Sequence, residues 1–116
     1  MQYMLLLYSD ANEWAAMTPA EQSEAMGAYF AYTTALRDAG VFLGGDELDG
    51  PHTATTLTVQ GGQRRVQDGP FIASKESLGG YYLIEVPDLD AALHWAERCP
   101  AAHHGHVEIR PVILHP

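Results

Sequence analysis

Gly80-Tyr81-Tyr82-Leu83-Ile84-Glu85-Val86-Pro87-Asp88-Leu89-Asp90-Ala91-Ala92-Leu93 is the stretch that decides the fold. Its first seven residues mix aromatic and aliphatic side chains and predict a strand over 80–86. Pro87 ends that strand, because it has no N–H to donate to a neighbour. Asp88 is a helix cap, and Leu89, Ala92/Leu93 and Ala96 recur at helical spacing until Pro100. A loop over Ala101–His106 then leads to a predicted final strand, Val107–Leu114. Strand, helix and strand in direct succession make one βαβ unit.

Working upstream, Gln2–Tyr8 predicts a buried strand bounded by Ser9-Asp10-Ala11-Asn12. Thr18-Pro19-Ala20-Glu21 carries a cap, a proline suited to the first helical turn and a glutamate three residues after the cap. Met26, Tyr29/Phe30, Thr33 and Leu36 extend that helix to a stop at Gly40. Val41–Leu43 starts a strand that the Gly44-Gly45 pair is expected to interrupt. Thr53–Gln60 and Gln63–Gln67, split by Gly61-Gly62, read as a hairpin, and Asp68–Glu76 as an irregular loop. The order is β, α, β with a hairpin, β, α, β. It predicts a single α+β domain over 1–116 of the split βαβ, ferredoxin-like kind with an extra hairpin.

Two helices cover one face of such a sheet, so a second copy of the chain is expected on the other, forming a dimeric α/β barrel. Period-two alternation assigns Tyr82, Ile84, Val86, Val107 and Ile109 to the helix side. It leaves Tyr81, Leu83, Glu85, Glu108 and Arg110 on the open side. In the hairpin the same rule sends Leu57 and Val59 toward the helices and Thr56 and Thr58 to the open face. The resulting mixture of hydroxyls, carboxylates and one arginine predicts a small-molecule pocket at the dimer interface.

Composition narrows the function. The 116 residues carry 15 Asp+Glu against 6 Lys+Arg, a formal charge of −9. Such a surface repels phosphate backbones, which argues against a nucleic-acid partner. No apolar run approaches the roughly 20 residues of a membrane helix, and no signal-peptide pattern is present, so a cytoplasmic protein without a membrane partner is expected. The single Cys99 excludes an internal disulfide and reads as a core residue. His103, His104 and His106 lack a cysteine or carboxylate at ligand spacing nearby, so no metal is expected. No GxGxxG, P-loop or GxSxG sequence occurs, and no cofactor is expected.

Three groups remain as site candidates. Asp68-Gly69-Pro70-Phe71 has turn chemistry, with Phe71 expected to anchor the loop in the core and Asp68 open to a role as base. Lys75, the only lysine, and Glu76 read either as a solvated pair or as an anion contact with a proton-transfer partner. Glu85, Glu108 and Arg110 read either as charges that fix dimer register or as a grip on a substrate carboxylate. Asp68, Lys75 and Glu76 are thus the catalytic candidates. Tyr81, Glu85, Glu108 and Arg110 are the substrate-binding candidates.

The run Val66-Gln67-Asp68-Gly69-Pro70-Phe71-Ile72-Ala73-Ser74-Lys75-Glu76-Ser77-Leu78-Gly79-Gly80-Tyr81-Tyr82-Leu83-Ile84-Glu85-Val86 resembles the DGPF-type branch of the YCII-related (YciI-like) proteins. The likeness extends to Tyr3–Tyr8, Gly40–Gly45, Ala54-Thr55-Thr56, Asp88–Ala92 with Trp95-Ala96, and Val107–Pro111. It implies a ferredoxin-like fold that dimerises through its sheets. For activity, it implies either of two readings. One is a cofactor-free acid–base enzyme (an isomerase, lyase or lactone-acting enzyme) on a small polar or anionic compound, as in relatives that act on small rings. The other is a non-catalytic regulatory or ligand-binding module linked to transcription. The His/Asp pair associated with the ring-acting relatives has no histidine here before His52, and Thr58 stands where a basic residue is common in the branch.

Overall fold

The computed structural model describes all 116 residues. Strand β1 (Gln2–Ser9) leads into a short helix α1 (Ala11–Ala16) and the long helix α2 (Pro19–Asp38). Strand β2 (Phe42–Glu47), a single 3₁₀ turn (Pro51–Thr53) and the hairpin β3 (Thr55–Gln60) and β4 (Gln63–Asp68) follow. Strand β5 (Ser77–Glu85), helix α3 (Leu89–Arg98), a second 3₁₀ turn (Pro100–His103) and β6 (His106–Pro111) complete the chain. The main sheet has the order β2-β5-β1-β6, with antiparallel neighbours throughout. Each βαβ unit therefore brackets a strand of the other, which is the split βαβ arrangement expected from the element order.

Local chemistry accounts for the element boundaries. Thr18 caps α2 with a reciprocal box, in which the Glu21 N–H donates to Thr18 Oγ1 at 3.2 Å and the Thr18 N–H donates to Glu21 Oε1 at 2.9 Å. Asp88 caps α3 by accepting from the Ala91 N–H at 2.9 Å. Gly61 and Gly62 take φ of +56° and +76°, the paired positive values that a two-residue hairpin turn requires.

The core lies between the sheet and helices α2 and α3. Tyr3, Leu5 and Leu7 of β1 alternate inward, as do Tyr82 and Ile84 of β5, with Val86 just beyond. Tyr32 and Leu36 of α2 and Ala92 and Ala96 of α3 meet them. Tyr32 ties the two helices together: its hydroxyl donates to the Trp95 carbonyl at 2.8 Å, and its ring meets Tyr82 edge-on at 5.2 Å. Cys99 is fully buried in this cluster, as expected of a core residue.

Five expectations need correction. Gly44-Gly45 do not interrupt β2, which runs through them with a register shift against β5 between Phe42 and Gly44. β3 does not join the main sheet, so Leu57 and Val59 do not face the helices, nor Thr56 and Thr58 the open face; β3 pairs only with β4. Phe71 is 82% exposed and does not anchor its loop in the core. Phe30 is 66% exposed and lies outside the core, where Tyr32 is buried instead. The final strand also stops at Pro111, leaving Ile113 and Leu114 exposed.

Candidate functional site

The open face of the sheet carries the β5 and β6 residues that alternation assigned to it, with Tyr81 beside the edge strand β2. Arg110 lies opposite Met4, Glu108 opposite Leu6 and Glu85 opposite Gln2. Leu83 pairs with Met4 and Tyr81 with Leu6. Arg110 forms no ion pair there; Glu85 instead meets the Met1 amino group at 3.4 Å. This face is a sheet surface with an apolar centre of Met4, Leu6 and Leu83 and a charged margin.

The principal cavity is elsewhere, at the end of the sheet where β2 finishes and β5 begins. It encloses about 360 Å³, within the range of small-molecule sites. Leu7, Phe42 and Tyr82 form its floor, and Met26, Tyr29, Phe30 and Thr33 of α2 its wall, with Trp14 of α1 at one side. The α2 residues stand at i, i+3, i+4 and i+7, so one helix face serves both core and cavity. Gly45 is required at the floor, because a Cβ there would come within 2.8 Å of Tyr82 Cδ1 and 2.9 Å of the Tyr81 carbonyl. The absence of a side chain lets β2 lie close against β5 and brings Asp46 beside Tyr81.

Polar residues also line it: Ser9, Asp46, Glu47, Asp49, Ser77 and Tyr81, with Arg37. The Tyr81 hydroxyl donates to Asp46 Oδ2 at 2.6 Å, a short charge-assisted bond. That bond and the neighbouring carboxylate charge raise the Tyr81 pKa, so Tyr81 stays a neutral donor at physiological pH. On the floor, Thr33 Oγ1 donates to the Tyr29 carbonyl at 2.9 Å and lies 2.9 Å from the Tyr82 hydroxyl. With the one Thr33 proton spent on the carbonyl, the Tyr82 hydroxyl is the donor to Thr33. Burial raises Tyr82 and pushes Tyr29 up to about 12. Arg37 stacks its guanidinium over Phe42 at 4.8 Å. The site therefore has aromatic walls, neutral tyrosine hydroxyls and a polar lining where carboxylates outnumber the one arginine.

Of the sequence candidates, Tyr81 alone lines this cavity. Asp68 ends β4, paired with Thr55, and Lys75 stands exposed in the loop before β5. Glu76 Oε1 lies within hydrogen-bond distance of His106 Nδ1, at 3.0 Å, joining the start of β5 to the start of β6. His103 bonds to the Glu97 carbonyl at 2.9 Å, and no three His, Cys, Asp or Glu side chains converge as a metal site. Sequence reasoning passed over Asp46, Glu47, Asp49, Trp14 and the second use of Tyr29. The available signal was the acidic run Asp46-Glu47-Leu48-Asp49 directly after a Gly-Gly pair, together with an α2 apolar stripe too wide for one packing partner.

Comparison with known proteins agrees with the architecture. The YCII-related domain profile matches residues 1–115. An uncharacterised protein of Rhizobium meliloti (strain 1021) is 33% identical over 117 residues, covering 99% of this chain and 94% of the relative. The solved structure of 5-chloro-2-hydroxyhydroquinone dehydrochlorinase from Burkholderia phenoliruptrix AC1100, in complex with 2,5-dihydroxybenzoquinone, superposes with a TM-score of 0.57. That likeness spans 97% of this chain and 94% of the other at 13% identity, and is a likeness of fold. No helix of the chain is long and apolar enough to cross a membrane.

Proposed function

The chain belongs to the YCII-related family, and on that premise we propose that it is a homodimeric, cofactor-free acid–base enzyme acting on a small hydroxylated ring compound. The observation that carries this reading is an aromatic-walled cavity whose lining includes the hydrogen-bonded pair Tyr81 and Asp46. Trp14, Tyr29, Phe30 and Tyr82 supply flat surfaces on which a ring can stack edge or face. The excess of carboxylates in the lining suits hydroxyl protons on the ligand better than carboxylate or phosphate groups. Asp46 is the base: it accepts a proton from a ring hydroxyl or an adjacent carbon while Tyr81 steadies its second role as hydrogen-bond acceptor. Expulsion of a leaving group or migration of a double bond follows from such a deprotonation. The fold neighbour's bound ligand is itself a hydroxylated ring.

The dimer completes the molecule. Met4, Leu6 and Leu83 form an apolar strip that the second copy covers, with Glu85, Glu108 and Arg110 setting register at its margin. Asp68 and Lys75 lie outside the cavity and enter this reading only as loop residues near the foot of the hairpin.

Thermal-shift and calorimetric titration with catechol, hydroquinone and resorcinol test the site. Binding that is weakened at least tenfold by Asp46→Asn and retained by Lys75→Ala supports it. Binding unaffected by Asp46→Asn, or abolished by Lys75→Ala, would move the site to the loop. Binding by the wild-type chain with no proton exchange or turnover in deuterated buffer would leave a ligand-binding module.

A further inference from the structure

The β3–β4 hairpin stands apart from the rest of the chain. It forms its own two-stranded sheet and shares no ladder with the main one. A two-stranded hairpin is at best marginally stable alone in water. One of its faces is nevertheless built for burial. Leu57 lies opposite Val66 and Val59 opposite Arg64, so Leu57, Val59 and Val66 form one apolar stripe with Arg64 beside the turn. These three side chains are 54–62% exposed. The whole chain has a radius of gyration of 16.2 Å and extents of 47 × 47 × 18 Å. A compact chain of this length has about 13 Å, so mass projects well beyond the body.

Charge identifies the surface that this stripe meets. Arg64 and Arg65 are two of the six basic residues in a chain with 15 acidic ones. Arg37 and Arg98 are stacked on Phe42 and Trp95 of the body. The hairpin is therefore a basic, apolar arm on an acidic body, and the acidic surface it complements is that of another copy.

We propose that the hairpin is an exchange arm, which lies across the second copy with Leu57, Val59 and Val66 packed against it and Arg64 among its carboxylates. The arm rests on the dimer reading above and goes beyond it: contact through the sheet faces does not require the hairpins to cross. By C₂ symmetry each copy both gives and receives an arm, and the two contacts are identical.

The test combines sedimentation velocity with photo-crosslinking. A benzophenone amino acid is placed at position 59, on the apolar face, and separately at position 58, on the opposite face of the same hairpin. Tagged and untagged full-length chains are mixed at micromolar concentration and irradiated. The arm predicts a dimer by sedimentation and an inter-chain adduct from position 59 several times stronger than from position 58. It also predicts that Arg64→Glu cuts the position-59 adduct at least threefold. A dimer that gives no inter-chain adduct, or only intra-chain adducts, overturns the arm and leaves the dimer standing. A monomer overturns both.

Discussion

Ile84 and Leu83 are neighbours in β5 that point to opposite faces, and replacing each with alanine separates the two halves of the architecture. Ile84 is fully buried between sheet and helices. Ile84→Ala removes about three methylene-sized groups at roughly 0.8 kcal/mol each. A further cavity cost brings the loss to about 3–4 kcal/mol. With an unfolding entropy of about 2.1 cal/mol/K per residue, a loss of 3 kcal/mol in this chain lowers Tm by about 12 °C. That loss is the same at every protein concentration, because the contact lies within one chain. Leu83 is partly exposed on the open face, so Leu83→Ala costs under about 1 kcal/mol where the chain is dilute and monomeric. Where the second copy covers Leu83, the cost grows with protein concentration. Urea melts of both variants at two concentrations a hundredfold apart read the contrast. Equal costs, or a Leu83→Ala cost that ignores concentration, would refute the assignment of the open face as an interface.

Burial pushes the Cys99 thiol up to about 11, so the native protein should resist thiol reagents at pH 8 and react at once in denaturant; fast native reaction would contradict its place in the core. Tyr29, Tyr32 and Tyr82 all have pKa values raised above the ordinary value of 10.0 by burial. Their contribution to stability is complete below pH 10 and is lost as pH rises through the folded-state values, which for Tyr29 is about 12. Urea midpoints should therefore hold between pH 8 and 9 and fall steadily from pH 10 to 12, and a midpoint that rises in that window would reverse the sign.

The parts of the fold that were legible in the sequence were those with a local cause. The Thr18 box, the Asp88 cap and the alternation of β5 each rest on chemistry within a few residues, and all stand where the sequence put them. The hairpin illustrates the opposite case. Alternation in Leu57 and Val59 announces a face meant for burial, but nothing in the pattern says whether the covering surface is the same chain or another. β2 was obscured because two glycines carry no side-chain preference, while the structure uses one of them for close approach to Tyr82. The cavity was harder still. It is assembled from the end of β1, one face of α2 and the Asp46–Asp49 run, which meet only through the sheet order. Tyr81 was found from strand alternation, whereas its partner Asp46 depends on the register of β2 against β5.

The most direct test of the account is to map where a ring compound binds on the backbone. In a ¹H–¹⁵N titration with catechol, shift changes should concentrate at Tyr29, Phe42, Asp46, Tyr81 and Tyr82 and should disappear in Asp46→Asn. Changes confined to Asp68–Glu76, or to the open-face residues Leu83, Glu108 and Arg110 with none around the cavity, would contradict it.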